Sequence, residues 1–123
     1  MNICLFAAGV VSTAVFLIHT FVGGREIAAP LLAAKDLHPV PKFTQYYCWH
    51  LVTIVLAAMA AAYGFAAIDP SARDLAAFVT FLAAAFSVFG LILAPAKGQK
   101  YKHMPQGWLF VPVTALGVIG LLA

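Results

Sequence analysis

Every charged side chain in this chain falls in one of three short connections, and four long apolar stretches lie between and beside them. An apolar stretch of about 20 residues is the length that crosses a bilayer as a helix, and a helix satisfies its own backbone polar groups there. The expected fold class is therefore an all-α integral membrane protein, a four-transmembrane-helix antiparallel bundle. It forms a single domain over 1–123, with spans at about 3–22, 46–68, 75–94 and 107–123. The connections are short, so neighbouring spans must run antiparallel. Composition agrees. The 123 residues are 64% hydrophobic and 9% charged, against about 45–50% and about 25% in globular domains. A soluble domain of this size cannot cover its surface with so few charges. No internal repeat and no low-complexity tract is evident.

The first span runs from Ile3 to Val22 and is apolar apart from Ser12, Thr13, His19 and Thr20. It lacks a basic leader and a small-residue cleavage site, so it reads as a retained span. Gly23-Gly24 and Arg25-Glu26 follow. The stretch from Ile27 to Val40 is partly apolar but holds Pro30, Lys35, Asp36, His38 and Pro39. It reads as an interfacial segment ending before Pro39 and Pro41. The second span opens with Tyr46-Tyr47-Cys48-Trp49-His50, an aromatic cluster of the kind found at headgroup depth. Its Tyr46, His50, Thr53, Ala57, Ala61 and Gly64 share a small, weakly polar face suited to close helix contact. Asp69-Pro70-Ser71 forms a turn, with Asp69 or Ser71 capping the third span.

In the third span Thr80, Ala84, Ser87 and Leu91 share one face, while Phe78, Phe81 and Phe89 lie on the other. Pro95 ends it. The fourth span presents Gly107, Thr114 and Gly117 on a small face, and Pro112 is a candidate kink. Two small-residue faces, Ala57-Ala61-Gly64 and Gly107-Thr114-Gly117, exceed what one bundle needs and point to a homo-oligomer or a partner in a membrane complex. Cys4 and Cys48 belong to opposite ends of the bundle, which excludes a disulfide between them within one chain.

Charge sets the expected orientation. The first connection carries Arg25, Lys35 and Lys42, and the third carries Lys97, Lys100 and Lys102. The middle one has Arg73 alone, beside Asp69 and Asp74. Lys and Arg mark the cytoplasmic side. The chain is expected in the cell inner membrane, multi-pass, with both termini outside the cytoplasm. The cations form no dense stripe, so nucleic acid is not an expected partner.

This orientation gathers the histidines on one side. On an α-helix residues seven apart return to one face, about 20° off register. Ser12, His19, Gly23 and Glu26 would then share a face, with His50 at similar depth on the next span. Ionisable groups inside a membrane are costly and point to function. Three readings follow. His19, Glu26, His50 and His103 bind a metal ion, since imidazole and carboxylate suit several transition metals. Alternatively His19 and His50 ligate a haem between two helices, with Arg25 and Lys42 near its propionates and Tyr46 beside it. In the third reading the histidines only hydrogen-bond between helices, and the chain is a non-catalytic structural or assembly subunit of a larger complex. Ser12 and Ser87 lack a base–acid pair at matching depth, which disfavours a hydrolytic triad. Gly23-Gly24 lacks the phosphate-loop pattern, and no carboxylate sits mid-span to exchange protons.

Overall fold

The computed structural model describes residues 1–123, and all its regular structure is helical. Helix α1 (Ile3–Leu17) runs on into a π-helical segment (Ile18–Ala28) and then α2 (Ala29–Ala33), one continuous rod of 31 residues. Helix α3 (Pro39–Ile68) has 30 residues, and a 3-10 turn (Pro70–Ala72) leads into α4 (Arg73–Ala96). Helix α5 (Gln106–Leu122) has 17 residues. The first rod, α3, and α4 with its 3-10 turn are long and apolar enough to cross a membrane. Helix α5 is equally apolar in character but shorter.

The helix ends follow local chemistry. Asn2 caps α1, its Oδ1 accepting from the Leu5 amide at 3.1 Å. His38 caps α3, its Nδ1 accepting from the Val40 amide at 3.3 Å. Pro39 takes the first helical position, where a missing N–H costs nothing. Four features differ from the sequence reading. The Gly23-Gly24 pair does not end the first rod, because the π winding carries it through. Ile27 to Ala33 is helix, not a separate interfacial segment, and only 34–38 form the connection. The second helix starts at Pro39, seven residues before Tyr46. Pro95 lies inside α4, whose last residue is Ala96. A proline there cannot donate to the carbonyl of Leu91. The Tyr101 hydroxyl donates to that carbonyl instead, at 2.8 Å.

The start of α1 meets the ends of α3 and α5. The Asn2 amide donates to the Ala67 carbonyl at 2.7 Å, and Asn2 Nδ2 donates to the Gly120 carbonyl at 2.7 Å. The Arg73 guanidinium, at the start of α4, donates to the Leu121 carbonyl. All four rods thus share one end. The core between them is Leu5, Ala8 and Val15 of α1, Leu56, Met59, Tyr63, Ala66 and Ala67 of α3, Ala76, Val79 and Ala83 of α4, and Phe110 and Val113 of α5. Glycine permits the tightest approach, between α4 and α5. A Cβ on Gly90 would lie 2.6 Å from the Gly107 amide nitrogen. The Ser87 hydroxyl donates to the Gly107 carbonyl beside it, at 2.9 Å.

Phe78, Phe81 and Phe89 are 58%, 67% and 66% exposed, so the aromatic stripe of α4 does face outward. The inward face of α3 is different from the small one expected. Ala57 and Ala61 are exposed, while Leu56, Met59 and Tyr63 are buried. The bulkier side chains fill the space between the helices, and Tyr63 finds its hydroxyl a partner there, at Thr80.

From the shared end the rods run unequal distances. The first rod and α3 exceed α5 by 14 and 13 residues, roughly 20 Å of helix. The residues beyond Ile18 pack chiefly against α3. Helix α4, with 24 residues, also runs past α5. Only the outermost six or seven residues of the first rod and α3 therefore project as a two-helix hairpin, and the histidine corner lies toward its base.

Candidate functional site

The corner is built where the π segment faces α3. His19 and Gly23 are four apart on the first rod, and Trp49 and Thr53 are four apart on α3. The His19 ring stacks on the Trp49 indole with centroids 3.9 Å apart and planes 18° from parallel. The indole edge lies over Gly23, where a Cβ would stand 2.6 Å from Trp49 Cη2. Only glycine leaves room for this seating of the ring. His19 Nε2 lies 2.9 Å from Thr53 Oγ1. Thr53 donates its own proton to the Trp49 carbonyl at 3.2 Å. Its oxygen is thus the acceptor toward His19, which assigns the proton to His19 Nε2 by the network.

Next to Trp49 in the chain, His50 is exposed and meets Tyr46 edge-on, with ring centroids 4.6 Å apart. Arg25 and Glu26 are exposed, and no ion pair forms within 4.0 Å. The π winding explains the position of Glu26. Hydrogen bonds from i to i+5 widen the turn beyond four residues. The seventh residue then falls roughly one and a half turns on, not two. Glu26 is carried off the His19 face, although α-helical spacing would align them. His103 is exposed in the connection between α4 and α5. No three His, Cys, Asp or Glu side chains converge as a metal ion would need. The structure therefore brings together His19, Gly23, Trp49 and Thr53, sets Tyr46 with His50 beside them, and leaves Arg25, Glu26 and His103 apart.

No known protein family, no curated protein and no solved structure matches this chain.

Trp49 is the functional-looking residue that sequence reasoning placed elsewhere, in a headgroup belt. The available signal was the pairing of a histidine four residues before a glycine with a tryptophan four before a threonine. A second polar centre lies in the core. Thr80 donates to the Ala76 carbonyl at 2.7 Å, so the Tyr63 hydroxyl donates to Thr80 Oγ1 at 2.9 Å. Gly117 packs against both hydroxyls. A tyrosine in a long apolar run signals such a partner, because a buried hydroxyl must be paired. Ser12 Oγ, expected on the histidine face, is buried without a hydrogen-bond partner. Cys4 and Cys48 are free thiols.

Proposed function

We propose that this chain is a four-span inner-membrane protein, an antiparallel bundle that serves as a structural or assembly subunit of a membrane complex, with the His19 corner as its interhelical clasp. The observation that carries this reading is the double commitment of the His19 ring. Its face is covered by Trp49 and its Nε2–H is bonded to Thr53, and Gly23 is shaped to that packing. A ring used this way holds two helices together. The exposed Ala57 and Ala61 leave a small-residue strip on α3 for a neighbouring helix, either of a second copy or of another subunit. Helix α5, with 17 residues, is at the short limit of a spanning helix. Orientation follows the cations, with six Lys and Arg in the first and third connections against one in the second, so both termini face away from the cytoplasm. A reporter fused after Ala123 is expected to be active only outside the cytoplasm. Cytoplasmic activity would reverse the orientation.

A second reading draws on the π winding, because π-helical irregularities occur frequently at functional sites. In it the corner binds a haem or metal ion through His19 and His50, with Arg25 and Tyr46 flanking and Glu26 or His103 completing a metal's donor set. His19 Nε2 would have to give up Thr53 to become a ligand. A visible spectrum and metal analysis of the purified protein separate the two readings. A haem band or stoichiometric metal, lost in both His19→Ala and His50→Ala, would establish the second. The clasp reading expects neither signal in the wild-type protein.

A further inference from the structure

The His19 ring has two nitrogens, and the corner uses one of them. Nε2 directs its proton to Thr53 Oγ1 at 2.9 Å. Nδ1 has no hydrogen-bond partner in the protein, yet it is not sealed in. Ser12 Oγ is the one fully enclosed polar side-chain atom left unpaired. Nδ1 therefore keeps an open lone pair. A neutral imidazole held in this way can take one proton, and takes it at Nδ1. Thr53 keeps its bond, because Nε2–H is a donor in both states of the ring. Histidine is the side chain whose ordinary charge change falls between pH 5 and 8.

The arriving charge lands on the face of an aromatic ring. The His19 and Trp49 centroids are 3.9 Å apart and their planes 18° from parallel. That is well inside the distance of about 6 Å at which a cation is drawn to an indole face. A charged N–H is also the stronger donor to Thr53. Both contacts cross from the first rod to α3, so both tighten together. The residues beyond Ile18 pack chiefly against α3, whose titratable groups around Trp49 are His50, Tyr46 and Cys48. His50 is exposed and meets Tyr46 edge-on, and Cys48 is an exposed free thiol. On the first rod Arg25 and Glu26 are exposed. A charge on His50 or Arg25 opposes one on His19, and Glu26 favours it, but none of these acts through Trp49 or Thr53.

We propose that the His19 corner is a proton-responsive clasp, in which one proton taken up at His19 Nδ1 between pH 8 and pH 5 tightens the grip of the first rod on α3 through Trp49 and Thr53. This deepens the clasp reading and rests on it. The ring stays in place in both states, and the proton comes from the medium and returns to it. The firmer state of the clasp is the acidic one, so the hairpin beyond it is held in acid and freed toward neutral pH.

The test uses the full chain in mild detergent. A double-mutant cycle of His19→Gln and Trp49→Leu is read by helix signal during unfolding in dodecyl sulfate, at pH 8 and at pH 5. Contributions of His50, Cys48, Arg25 and Glu26 cancel, because all four proteins of the cycle carry them. The His19–Trp49 coupling is expected to be larger at pH 5, by about two- to fivefold in the unfolding equilibrium constant. A cycle of His19→Gln with Thr53→Val is expected to move the same way. Trp49 fluorescence, read in a Trp108→Phe background, needs no cycle and no change at Trp49. An imidazolium quenches a stacked indole, so the emission is expected to fall as pH drops from 8 to 5. The fall should persist in His50→Gln and vanish in His19→Gln. A coupling that is present but equal at the two pH values, or smaller at pH 5, overturns the proposal and keeps the clasp. No coupling at either pH overturns both. An emission fall that survives His19→Gln, or that is lost in His50→Gln, puts the proton elsewhere and overturns the proposal as well.

Discussion

The shared end of the four rods and the projecting hairpin solve the same problem with different materials. At the shared end and through the four-helix section, glycines let backbones touch, and short polar side chains reach across. Asn2 donates to Gly120, Ser87 to Gly107, and Tyr63 to Thr80 beside Gly117. Each acceptor is fixed and close, so little side-chain freedom is lost per bond. In the hairpin an aromatic ring lies between the two helices. Trp49 spans from α3 to Gly23 and His19, and Lys42 reaches the Leu32 carbonyl at 3.4 Å. Helices in a lipid-like environment gain little from apolar burial, so close packing and interhelical hydrogen bonds decide their association. The four-helix section uses both. The hairpin has fewer contacts to lose, which makes it the part that opens first and the part able to adjust to a bound molecule.

The largest expected effect comes from adding one methyl group at each of two glycines of the four-helix section, one tightly packed and one open. Gly107→Ala forces a Cβ against the backbone of Gly90 and Leu91, at separations below ordinary contact. No side-chain rotation relieves that, so the cost is expected near the top of the overpacking range, about 3 kcal/mol. Gly64→Ala meets nothing within 4 Å. It is expected to be neutral or to stabilise by up to about 1 kcal/mol through helix propensity. Denaturation in mild detergent with increasing dodecyl sulfate, followed by helix signal, reads both. Equal losses from the two variants would mean that glycine-mediated contact does not hold the four-helix section.

The middle effect is expected at the base of the hairpin. His19→Ala is expected to cost about 1–2 kcal/mol, and Thr53→Val less. The coupling between them in a double-mutant cycle is expected near 0.6 kcal/mol and at most about 1.7. Gly23→Ala puts a Cβ 2.6 Å from Trp49 Cη2. That clash is with the far end of a ring, not with backbone, so the ring swings away and the loss stays below that of Gly107→Ala. A shift in Trp49 fluorescence, read in a Trp108→Phe background, should accompany it. Zero coupling between His19 and Thr53 would remove the clasp as the purpose of this corner.

The contrast also explains which parts of the molecule were legible in the sequence. The apolar stretches and their outward phenylalanines follow from local pattern, and the glycine face of α5 does face its neighbour. The hairpin was hidden because three local signals point the wrong way there. Gly23-Gly24 reads as a break, yet glycine also suits a wide π turn and a ring lying over it. Pro39 reads as an end to what precedes it, but it is equally the first residue of a helix. The seven-residue spacing of His19 and Glu26 aligns them only on an α-helix, and the π winding separates them. Thr53 was visible as a neighbour for the histidines. Trp49 was not, since its role depends on the empty space above Gly23 in another element.

The smallest expected effect lies at the shared end, in the turn that joins α3 to α4, and it tests whether that end depends on charge at all. The Asp69 carboxylate accepts from the Ser71 hydroxyl at 2.7 Å and from the Ser71 amide at 2.9 Å. Both bonds favour the ionised form and hold its pKa below the ordinary 3.8. A carboxylate with a depressed folded pKa contributes stability that is fully present above the unfolded value. That contribution fades as pH falls below about 4 and is gone once pH passes the folded value. Asp69→Asn keeps an oxygen for the Ser71 amide but removes the titration. The wild-type advantage over Asp69→Asn is therefore expected to be constant from pH 5 to 8 and to shrink on further acidification. Taking the difference between the two proteins cancels Glu26, Asp36 and Asp74, which titrate in both. An advantage that grows toward low pH would contradict the two hydrogen bonds. One that stays flat to pH 2 would mean that the shared end relies on its backbone bonds at Ala67, Gly120 and Leu121, and that the Asp69 charge adds nothing.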